Sequence, residues 1–342
     1  MDSVERFVAA CARAPVDRTP VWMMRQAGRY LPEYRAVRER VDFLTLCKTP
    51  ELAAQVSLQP VERFGVDACI VFSDILVPVE AMGVPLTFGD AGPHLEGRVE
   101  SQADVDALST PDPAQSMAFV METLRLCKRA LAGRAALVGF TGAPFTLATY
   151  IIEGGSSKGF ARTKALIYSQ PRLFHSLLDK LAIVIAEYAA AQAGAGAQAV
   201  QVFDTWAGEL EPPAFEEFAQ RYQVRAIERI RQAGVPSILY VNGCAGVLES
   251  MASTGADVLS IDWRISLADA RTRVGGGIAL QGNVDPAILL STPARTAEAA
   301  FAALEAAGPR GHILNLGHGI LPQTPLECAA AFVGAPRSAV NA

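Results

Sequence analysis

Short apolar runs recur along the chain and alternate with longer stretches of helical periodicity. Residues 214–234 illustrate the helical type, which closes with Gly234 before Pro236, a combination typical of a helix C-terminus. The apolar runs are nearly continuous rather than alternating, as expected of parallel strands that are buried on both faces. Eight runs of this kind are present, at residues 20–24, 68–74, 135–142, 199–205, 237–243, 257–263, 277–283 and 312–318.

This rhythm predicts an α/β protein built on a parallel sheet. Eight strands separated mostly by helices favour a single-domain (β/α)8 TIM barrel over residues 1–342, because that fold takes about 250 residues plus insertions. A doubly wound open sheet is the alternative. No linker, low-complexity tract or break in composition divides the chain.

Each apolar run ends in a polar or otherwise special residue. Active sites of TIM barrels lie at the C-terminal ends of the strands, so this fold predicts that these side chains converge on one mouth. Any one of them, Asn242, Asp262 and Asn283 above all, could instead simply open a loop. The residues are Arg25, Asp74, Thr141 with Gly142, Asp204 with Thr205, Asn242, Asp262, Asn283 with Asp285, and His318.

Positive charge is concentrated in one short part of an acidic protein. The 342 residues carry a formal net charge of −5, which provides no global basic field for nucleic acid. Residues 13–48 nevertheless hold eight Arg or Lys against four acidic residues. Arg35 to Arg40 fit a solvated helix face, whereas Arg25 and Arg29 at a strand end predict an anion site.

Composition predicts a soluble, cytoplasmic protein with reduced thiols. Hydrophobic residues make up 51% of the chain, enough for a large core. The six cysteines are scattered without a CxxC pair, as in reduced core positions. The N-terminus lacks the long apolar stretch of a signal peptide, and the Ala-rich tract 181–200 is broken by Glu187 and glycines, so no membrane association is predicted.

The common cofactor motifs are missing or misplaced. There is no P-loop or nucleophile elbow, and the GxGxxA match at 194–199 lies between a helix and a strand, the reverse of a dinucleotide turn. His312 and His318 lack a third zinc ligand, and His312 at a strand start is predicted to be structural. The remaining arginines predict a polycarboxylate ligand, and a lone buried carboxylate suits a developing cation, with no metal or cofactor expected.

Two long segments carry a resemblance to a known family. "PVWMMRQAGRYLPEY" (20–34) and "GFTGAPFTLATYIIEGG" (139–155) resemble the two signature segments of the uroporphyrinogen decarboxylase family. "FSDIL" (72–76), "FDTWAG" (203–208), "QGNVDP" (281–286) and "NLGHGI" (315–320) are similar to further motifs, in the family's order. The resemblance covers nearly the whole chain.

The resemblance implies a homodimeric TIM barrel of haem biosynthesis that acts without a cofactor. It converts the four acetate side chains of uroporphyrinogen III to methyls, releasing CO2 and giving coproporphyrinogen III. Thr205 stands where a serine is common, so the hydroxyl is kept and a methyl is added. The implied catalytic residues are Asp74, Arg25, Arg29, Tyr150 and His318, and the implied substrate-binding residues are these five with Gln26, Ala27, Gly28 and Thr205.

The mechanism implied by the resemblance uses the pyrrole ring as an electron sink. Protonation of a ring carbon gives an iminium-like cation, CO2 leaves from the acetate, and Asp74 stabilises the positive ring. The proton donor stays open between an arginine and a bound water. Asp74 also has an alternative interpretation as a helix N-cap.

Three other functions compete with this interpretation. Related barrels transfer methyl groups through zinc held by a His-x-Cys and a later Cys, but here Asn242 precedes Cys244 and His318 takes the later position. A non-enzymatic carrier of porphyrins or other polyanions would need the arginines but neither Asp74 nor Tyr150. An aldolase or isomerase would want a metal or a catalytic lysine, and no lysine lies in the eight runs.

Overall fold

The computed structural model describes residues 1–89, 92–97 and 99–339. Within these ranges one parallel sheet has seven strands, and a separate antiparallel hairpin has two. In chain order the strands are β1 Ala68–Ile70, β2 Leu86–Gly89, β3 Gly92–Leu95, β4 Ala136–Gly142, β5 Ala199–Phe203, β6 Ser237–Tyr240, β7 Val258–Ser260, β8 Ala279–Val284 and β9 His312–Leu316.

Helices fill the chain between successive strands of the main sheet. A π-helix, Glu216–Gln220, joins two of them, and together these cover most of the helical stretch predicted at 214–234. The α-helices are α1 Ser3–Cys11, α2 Pro32–Arg38, α3 Phe43–Lys48, α4 Pro50–Phe64, α5 Val77–Ala81, α6 Gln102–Ala107, α7 Pro113–Ser116, α8 Ala118–Leu131, α9 Pro144–Glu153, α10 Ala161–Ser169, α11 Pro171–Gly194, α12 Pro212–Phe215, α13 Arg221–Gln232, α14 Leu248–Ala252, α15 Leu267–Val274, α16 Pro293–Ala307 and α17 Leu326–Ser338.

The order of strands in the main sheet follows the order along the chain. The sheet runs β1-β4-β5-β6-β7-β8-β9, and every neighbouring pair is parallel. A doubly wound sheet would reverse this order at a switch point, so that alternative does not describe the structure. The predicted α/β class and parallel sheet are confirmed, and seven of the eight apolar runs contain a strand.

The eighth run, residues 20–24, is called here the first segment, and it touches both edges of the sheet without forming a regular strand. On the β9 side Trp22 N–H donates to Leu314 O at 3.2 Å, and Leu314 N–H donates to Pro20 O at 2.9 Å. On the β1 side Asp67 N–H donates to Val21 O at 2.8 Å. The ladder is limited to one bridge, at Val21, because the chain turns away shortly after it.

A layer of buried polar side chains connects the first segment to the sheet interior. Trp22 Nε1 donates to Gln281 Oε1 at 3.0 Å, and Gln281 Nε2 donates to Gln201 Oε1 and to Ser260 Oγ, each at 3.0 Å. All four side chains are fully buried. Each such hydrogen bond contributes about 1 kcal/mol net, and an unpaired partner would cost more than that, so the layer fixes the segment in register with β5, β7 and β8.

A buried ion-pair cluster lies at the N-terminal end of the sheet, at the start of β1. Asp67 is fully buried and accepts from Arg6 Nη1 at 2.9 Å and from Arg18 Nη1 at 2.6 Å. Its Oδ2 also accepts from Val21 N–H at 3.0 Å. Removing one member of such a cluster typically costs about 3–5 kcal/mol because the other charge is left buried and unpaired. Arg18 is therefore a structural cation rather than part of an anion site.

Several sequence-based expectations about the body of the protein agree with the structure. All six cysteines are buried and free. The Ala-rich tract forms the end of α11 and then enters β5, as predicted. In the described residues, no helix combines the length and the apolar character needed to cross a bilayer.

His312, the first residue of β9, is buried as a neutral imidazole. Its Nε2–H donates to Gly282 O at 2.9 Å, and its Nδ1 has no hydrogen-bond partner. Burial lowers the pKa of His312 to about 4, and the nearby positive charge of Arg271 acts in the same direction. This agrees with the structural role that its position at a strand start predicted.

We expect His312 to make folding stability depend on pH below neutrality. In the unfolded chain its imidazole protonates near pH 6.5, whereas the folded protein keeps it neutral down to about pH 4. Its contribution is therefore fully present above pH 6.5 and falls by about 2–3 kcal/mol as the pH drops towards 4. Urea unfolding at several pH values should show a shallower dependence in His312→Gln than in the wild type, and an equal slope would contradict this assignment.

Candidate active site

The loop after the first segment is held in place by a buried amide. Gln26 is fully buried, and its Oε1 accepts from Met23 N–H at 3.1 Å while its Nε2 donates to Ala68 O at 2.9 Å. Arg25, just before it, has a positive φ of 60°, a conformation that costs energy for any residue with a Cβ. The side chain of Gln26 thus serves the fold by anchoring the loop to β1, and it leaves Arg25 and Arg29 pointing away from the core.

The second half of the loop is shaped by backbone contacts. Ala27 and Gly28 are half-buried, and a Cβ at Gly28 would lie 2.9 Å from Arg25 O, closer than the loop allows. Arg35, on α2, donates from Nη1 to Arg29 O at 2.8 Å. The exposed face that was predicted for Arg35 to Arg40 therefore includes one cation that supports the loop.

Arg25 and Arg29 are exposed cations without a protein anion. Among the residues that the structure describes, no carboxylate lies within ion-pair distance of either guanidinium, and neither side chain has a hydrogen-bond partner. Several other arginines of the described chain, in contrast, form ion pairs with an Asp or Glu side chain. An unpaired guanidinium fork at the end of the sheet is suited to a carboxylate ligand.

Two glycines place His318 directly between neighbouring loops. A Cβ at Gly317 would lie 2.6 Å from Trp263 N, and a Cβ at Gly319 would lie 2.8 Å from Arg25 Cγ. Only glycine permits both close approaches. His318 is therefore bracketed by the loop after β7 on one side and by the side chain of Arg25 on the other.

His318 is a neutral hydrogen-bonding group near pH 7. Its ring stacks on Trp263, with centroids 6.5 Å apart and planes 16° apart, and it lies 6.0 Å from the ring of Tyr240. Burial lowers the pKa of His318 to about 4, with the positive charges of Arg25 and Arg264 acting in the same direction. Its Nδ1 is buried and has no hydrogen-bond partner among the described residues.

Asp74 lies in the loop after β1 and is half-buried. Its Oδ1 accepts from Leu76 N–H at 2.8 Å, which shapes the turn into α5, although the N-cap residue of α5 is Leu76 itself. No group of the described chain binds Oδ2. Burial raises the pKa of Asp74, while the Leu76 N–H and the charge of Arg25 oppose that rise. The N-cap interpretation accounts for one oxygen at most.

Tyr150 projects from α9 towards the same region. Its ring centroid is 6.3 Å from that of Trp206. Burial and the negative charge of Asp74 raise the pKa of Tyr150, and contacts with Trp206 and Ser156 only partly offset the rise. The phenol thus stays protonated and can donate a hydrogen bond. Thr205 is half-buried just after β5.

Asp204, another strand-end residue, is used inside the protein. Its fully buried carboxylate accepts from Thr146 Oγ1 at 2.6 Å, from Thr146 N–H at 3.1 Å and from Gln223 Nε2 at 2.7 Å. Burial raises the pKa of Asp204 to about 6 against these hydrogen bonds. The contacts join the start of α9 to the end of β5, which positions Tyr150 and Thr205 relative to one another.

The polar residues after β7 and β8 also organise loops. Asn283 Nδ2 donates to Asp262 O at 2.9 Å and to Ile265 O at 2.6 Å. The fully buried carboxylate of Asp262 accepts from Gly243 N–H and from Arg264 Nη1, the latter at 2.8 Å. The simpler interpretation of these strand ends as loop openers fits the structure. Sequence reasoning missed Arg264, whose only signal was a cation two residues after a strand-end aspartate.

Arg25 connects most of the predicted site electrostatically. Its charge opposes the rise in the pKa of Asp74 and of Tyr150 and helps to lower the pKa of His318, so Arg25 lies near all three groups. Arg29 lies on the same loop, and its charge acts on Tyr34. No contact in the described chain links the Thr205 side chain to the others, and its placement follows from its neighbour Asp204.

Comparison with known proteins identifies the family. The family model described as uroporphyrinogen decarboxylase (URO-D) matches residues 2–339. The chain belongs to the uroporphyrinogen decarboxylase family.

Curated relatives support this membership, and a solved structure shares the fold. A uroporphyrinogen decarboxylase of Myxococcus xanthus is 47% identical over 331 residues, covering 97% of this chain and 95% of its own. One of Syntrophotalea carbinolica is 50% identical over 328 residues, covering 96% and 95%. A methyltransferase structure from Methanosarcina mazei aligns with a TM-score of 0.85 over 99% of each chain, at 24% identity, which shows a shared fold alone.

The zinc set of methyl-transferring barrels is broken in this member of the uroporphyrinogen decarboxylase family. Asn242 Oδ1 accepts from Arg264 Nη1 at 3.0 Å, and burial raises the pKa of the Cys244 thiol to about 12. In the described part of the chain, no group of three or more His, Cys, Asp and Glu residues is placed to hold a metal ion.

We expect neighbouring residues of the arginine loop to separate into structural and functional positions. Gln26→Leu would leave Met23 N–H and Ala68 O buried without partners, which should lower the free energy of unfolding by about 2–4 kcal/mol. Arg29→Gln, three residues away, removes an exposed and unpaired side chain and should change it by less than about 0.5 kcal/mol. Urea unfolding of both variants measures the contrast, and equal losses would show that the amide does not anchor the loop.

Proposed function

We propose that this chain catalyses the reaction for which its family is named, the decarboxylation of uroporphyrinogen in haem biosynthesis. The four acetate side chains of uroporphyrinogen III become methyls, giving coproporphyrinogen III and four molecules of CO2. The observation that carries the proposal is that Asp74 lies near Arg25 without forming an ion pair with it. A mouth with an unpaired carboxylate and unpaired guanidinium groups fits a ligand that brings anions of its own and develops a cation.

The arginine loop provides the carboxylate-binding part of this mouth. Uroporphyrinogen carries eight carboxylates around its ring, and Arg25 and Arg29 each have a free fork for one of them. The backbone at Gln26, Ala27 and Gly28 lies between the two forks and approaches the substrate without a bulky side chain. Because the chain as a whole is negative, this local positive charge is needed to attract a polyanion.

Asp74 supports the chemical step. Protonation of a pyrrole carbon makes the ring an iminium-like cation, which takes the electron pair of the breaking carbon–carboxylate bond as CO2 leaves. The methylene that remains takes up a proton to become a methyl, and the ring loses the proton it had gained, so each acetate consumes one proton in total. Oδ2 of Asp74 accepts a hydrogen bond from the pyrrole N–H, and the negative charge of the carboxylate stabilises the cation electrostatically.

The neutral groups of the mouth assist binding. Tyr150 donates a hydrogen bond to a substrate carboxylate, Thr205 offers a hydroxyl, and His318 offers its neutral imidazole. A neutral His318 does not supply the proton near pH 7, so the donor is an arginine or a water molecule that an arginine holds. The pyrrole ring itself is the electron sink, and the reaction is proposed to need neither a metal nor an organic cofactor.

The larger organisation belongs to the same proposal. The first segment closes the sheet into an eight-stranded (β/α)8 barrel, which is supported by its backbone hydrogen bonds to Leu314 and to Asp67 at the two edges. The chain forms one domain over residues 1–342, works in the cytoplasm and assembles as a homodimer. The dimer rests on the family resemblance, and sedimentation at micromolar concentration tests it.

Anaerobic incubation with uroporphyrinogen III is the experiment that tests the function. After oxidation of the products, chromatography should show successive loss of four carboxyl groups, and prior chelation and dialysis should leave the rate unchanged. A polyanion carrier would bind the substrate and return it intact, so the absence of product with tight binding would overturn the proposal in favour of the carrier.

We expect Asp74→Asn to separate catalysis from folding. Asparagine keeps the hydrogen bond from Leu76 N–H, so the melting temperature should stay close to that of the wild type. Loss of the negative charge facing the cationic ring should lower kcat by about 10²–10³, as for removal of one preorganised transition-state partner.

A matched control is Asp112→Asn, because Asp112 makes the same kind of contact with a backbone N–H two residues further along the chain. The exposed Asp112 accepts from Ala114 N–H at 2.9 Å and caps α7. This variant should fold and turn over normally, because asparagine caps a helix about as well as aspartate. Near-normal kcat in Asp74→Asn would leave Asp74 with the role of shaping the turn into α5.

A further inference from the structure

A third arginine, Arg264, lies at the mouth and takes no part in the mechanism above. Its guanidinium carbon lies 4.1 Å from the ring centroid of Trp263. Its Nη1 donates to Asp262 Oδ2 at 2.8 Å and to Asn242 Oδ1 at 3.0 Å. The side chain is 46% exposed, although three groups hold it in one orientation. A guanidinium held in this way loses little conformational entropy when it binds a ligand.

The outer edge of Arg264 is free. Its Nε and Nη2 have no hydrogen-bond partner among the described residues, and both inner contacts use Nη1. Arg63, Arg229 and Arg273 differ, because each places Nε and Nη2 on the two oxygens of one glutamate. The edge that normally binds a carboxylate in bidentate fashion is therefore unoccupied in Arg264 alone of these four.

The ion pair with Asp262 does not prevent the outer edge of Arg264 from binding an anion. Asp262 is fully buried, and its two oxygens already accept from Gly243 N–H, from Arg264 N–H at 2.9 Å and from Arg264 Nη1. The negative charge thus lies on the protein side of the guanidinium, and the exposed side presents only N–H donors.

Arg264 and Arg25 face the same mouth with His318 between them. The positive charges of both arginines act on His318 and on Tyr240, so both lie near these two rings. Gly317 packs against Trp263, and Gly319 packs against Arg25, so the two cations flank His318 from different sides. A substrate with carboxylates around its whole rim cannot place all of them on one five-residue loop.

We propose that Arg264 is a further substrate-binding residue, which binds a carboxylate of the macrocycle through Nε and Nη2 on the side of His318 away from Arg25. The inference rests on the proposed function, since it takes a rim of carboxylates as the ligand. It adds a second binding point, outside the arginine loop, that fixes the orientation of the ring above Asp74.

Steady-state kinetics with uroporphyrinogen III test this assignment in Arg264→Gln. We expect KM to rise about tenfold or more while kcat stays within about threefold, because a charge-assisted contact made in both the ground state and the transition state is lost. The matched control is Arg295→Gln, which removes an equally charged side chain on α16 that pairs with Glu298 at 3.0 Å, and its KM should equal that of the wild type.

Arg264→Lys keeps the test decisive if the glutamine variant does not fold. Lysine retains the positive charge beside Asp262, but its single ammonium has no second edge, so KM should still rise severalfold. A KM within twofold of the Arg295→Gln control in a folded Arg264 variant would overturn the inference. If the wild type turns over uroporphyrinogen III but KM in the Arg264 variants matches the control, only the assignment of Arg264 is wrong. If the wild type does not turn over uroporphyrinogen III, the proposed function is wrong and this assignment is wrong with it.

Discussion

The buried side-chain amide of Gln26 is the contact on which the geometry of the mouth depends. The backbone of the first segment bonds to the backbone of the sheet as far as Trp22 and then leaves it, so the polar groups that follow need other partners inside the protein. Gln26 provides one by accepting from Met23 N–H, and it ties the loop to the start of β1 by donating to Ala68 O. Arg25 is held by this anchor at positive φ, between the ends of β1 and β9.

The carboxylates of Asp67 and Asp74 lie at opposite ends of the sheet and differ in their ion pairing. At the N-terminal end Asp67 is fully buried and fully paired with Arg6 and Arg18, which is an arrangement that stabilises one fold. At the C-terminal end Asp74 and Arg25 are close but not ion-paired. A half-buried charge without a partner is unfavourable for folding alone, and such exceptions occur where a ligand completes the contacts.

Burial and nearby cations together set the protonation of the mouth near pH 7. They keep His318 neutral, and burial keeps the phenol of Tyr150 protonated. The site therefore combines fixed guanidinium groups, one carboxylate and neutral hydrogen-bonding groups. This distribution matches a ligand with anions at its rim and a ring that becomes positive at its centre, because each kind of charge then meets its opposite.

The sequence by itself determined the repeated strands, their parallel arrangement and the residues that stand at their ends. Period and composition suffice for this, because a strand that is buried on both faces must be apolar along its length. The prediction that Arg25, Asp74 and His318 share one mouth rests on the same pattern, because the C-terminal ends of the strands lie on one side of a barrel.

Only the tertiary structure decided which of the strand-end residues are available to a ligand. Asp74, Asp204 and Asp262 follow strands in the same way, yet Asp204 and Asp262 are surrounded by donors from Thr146, Gln223 and neighbouring loops. Those donors come from residues up to 58 positions away, so no local pattern reports them. The same holds for the first segment, which reads as a strand locally but forms one bridge, because its partners lie on β9 and beside β1.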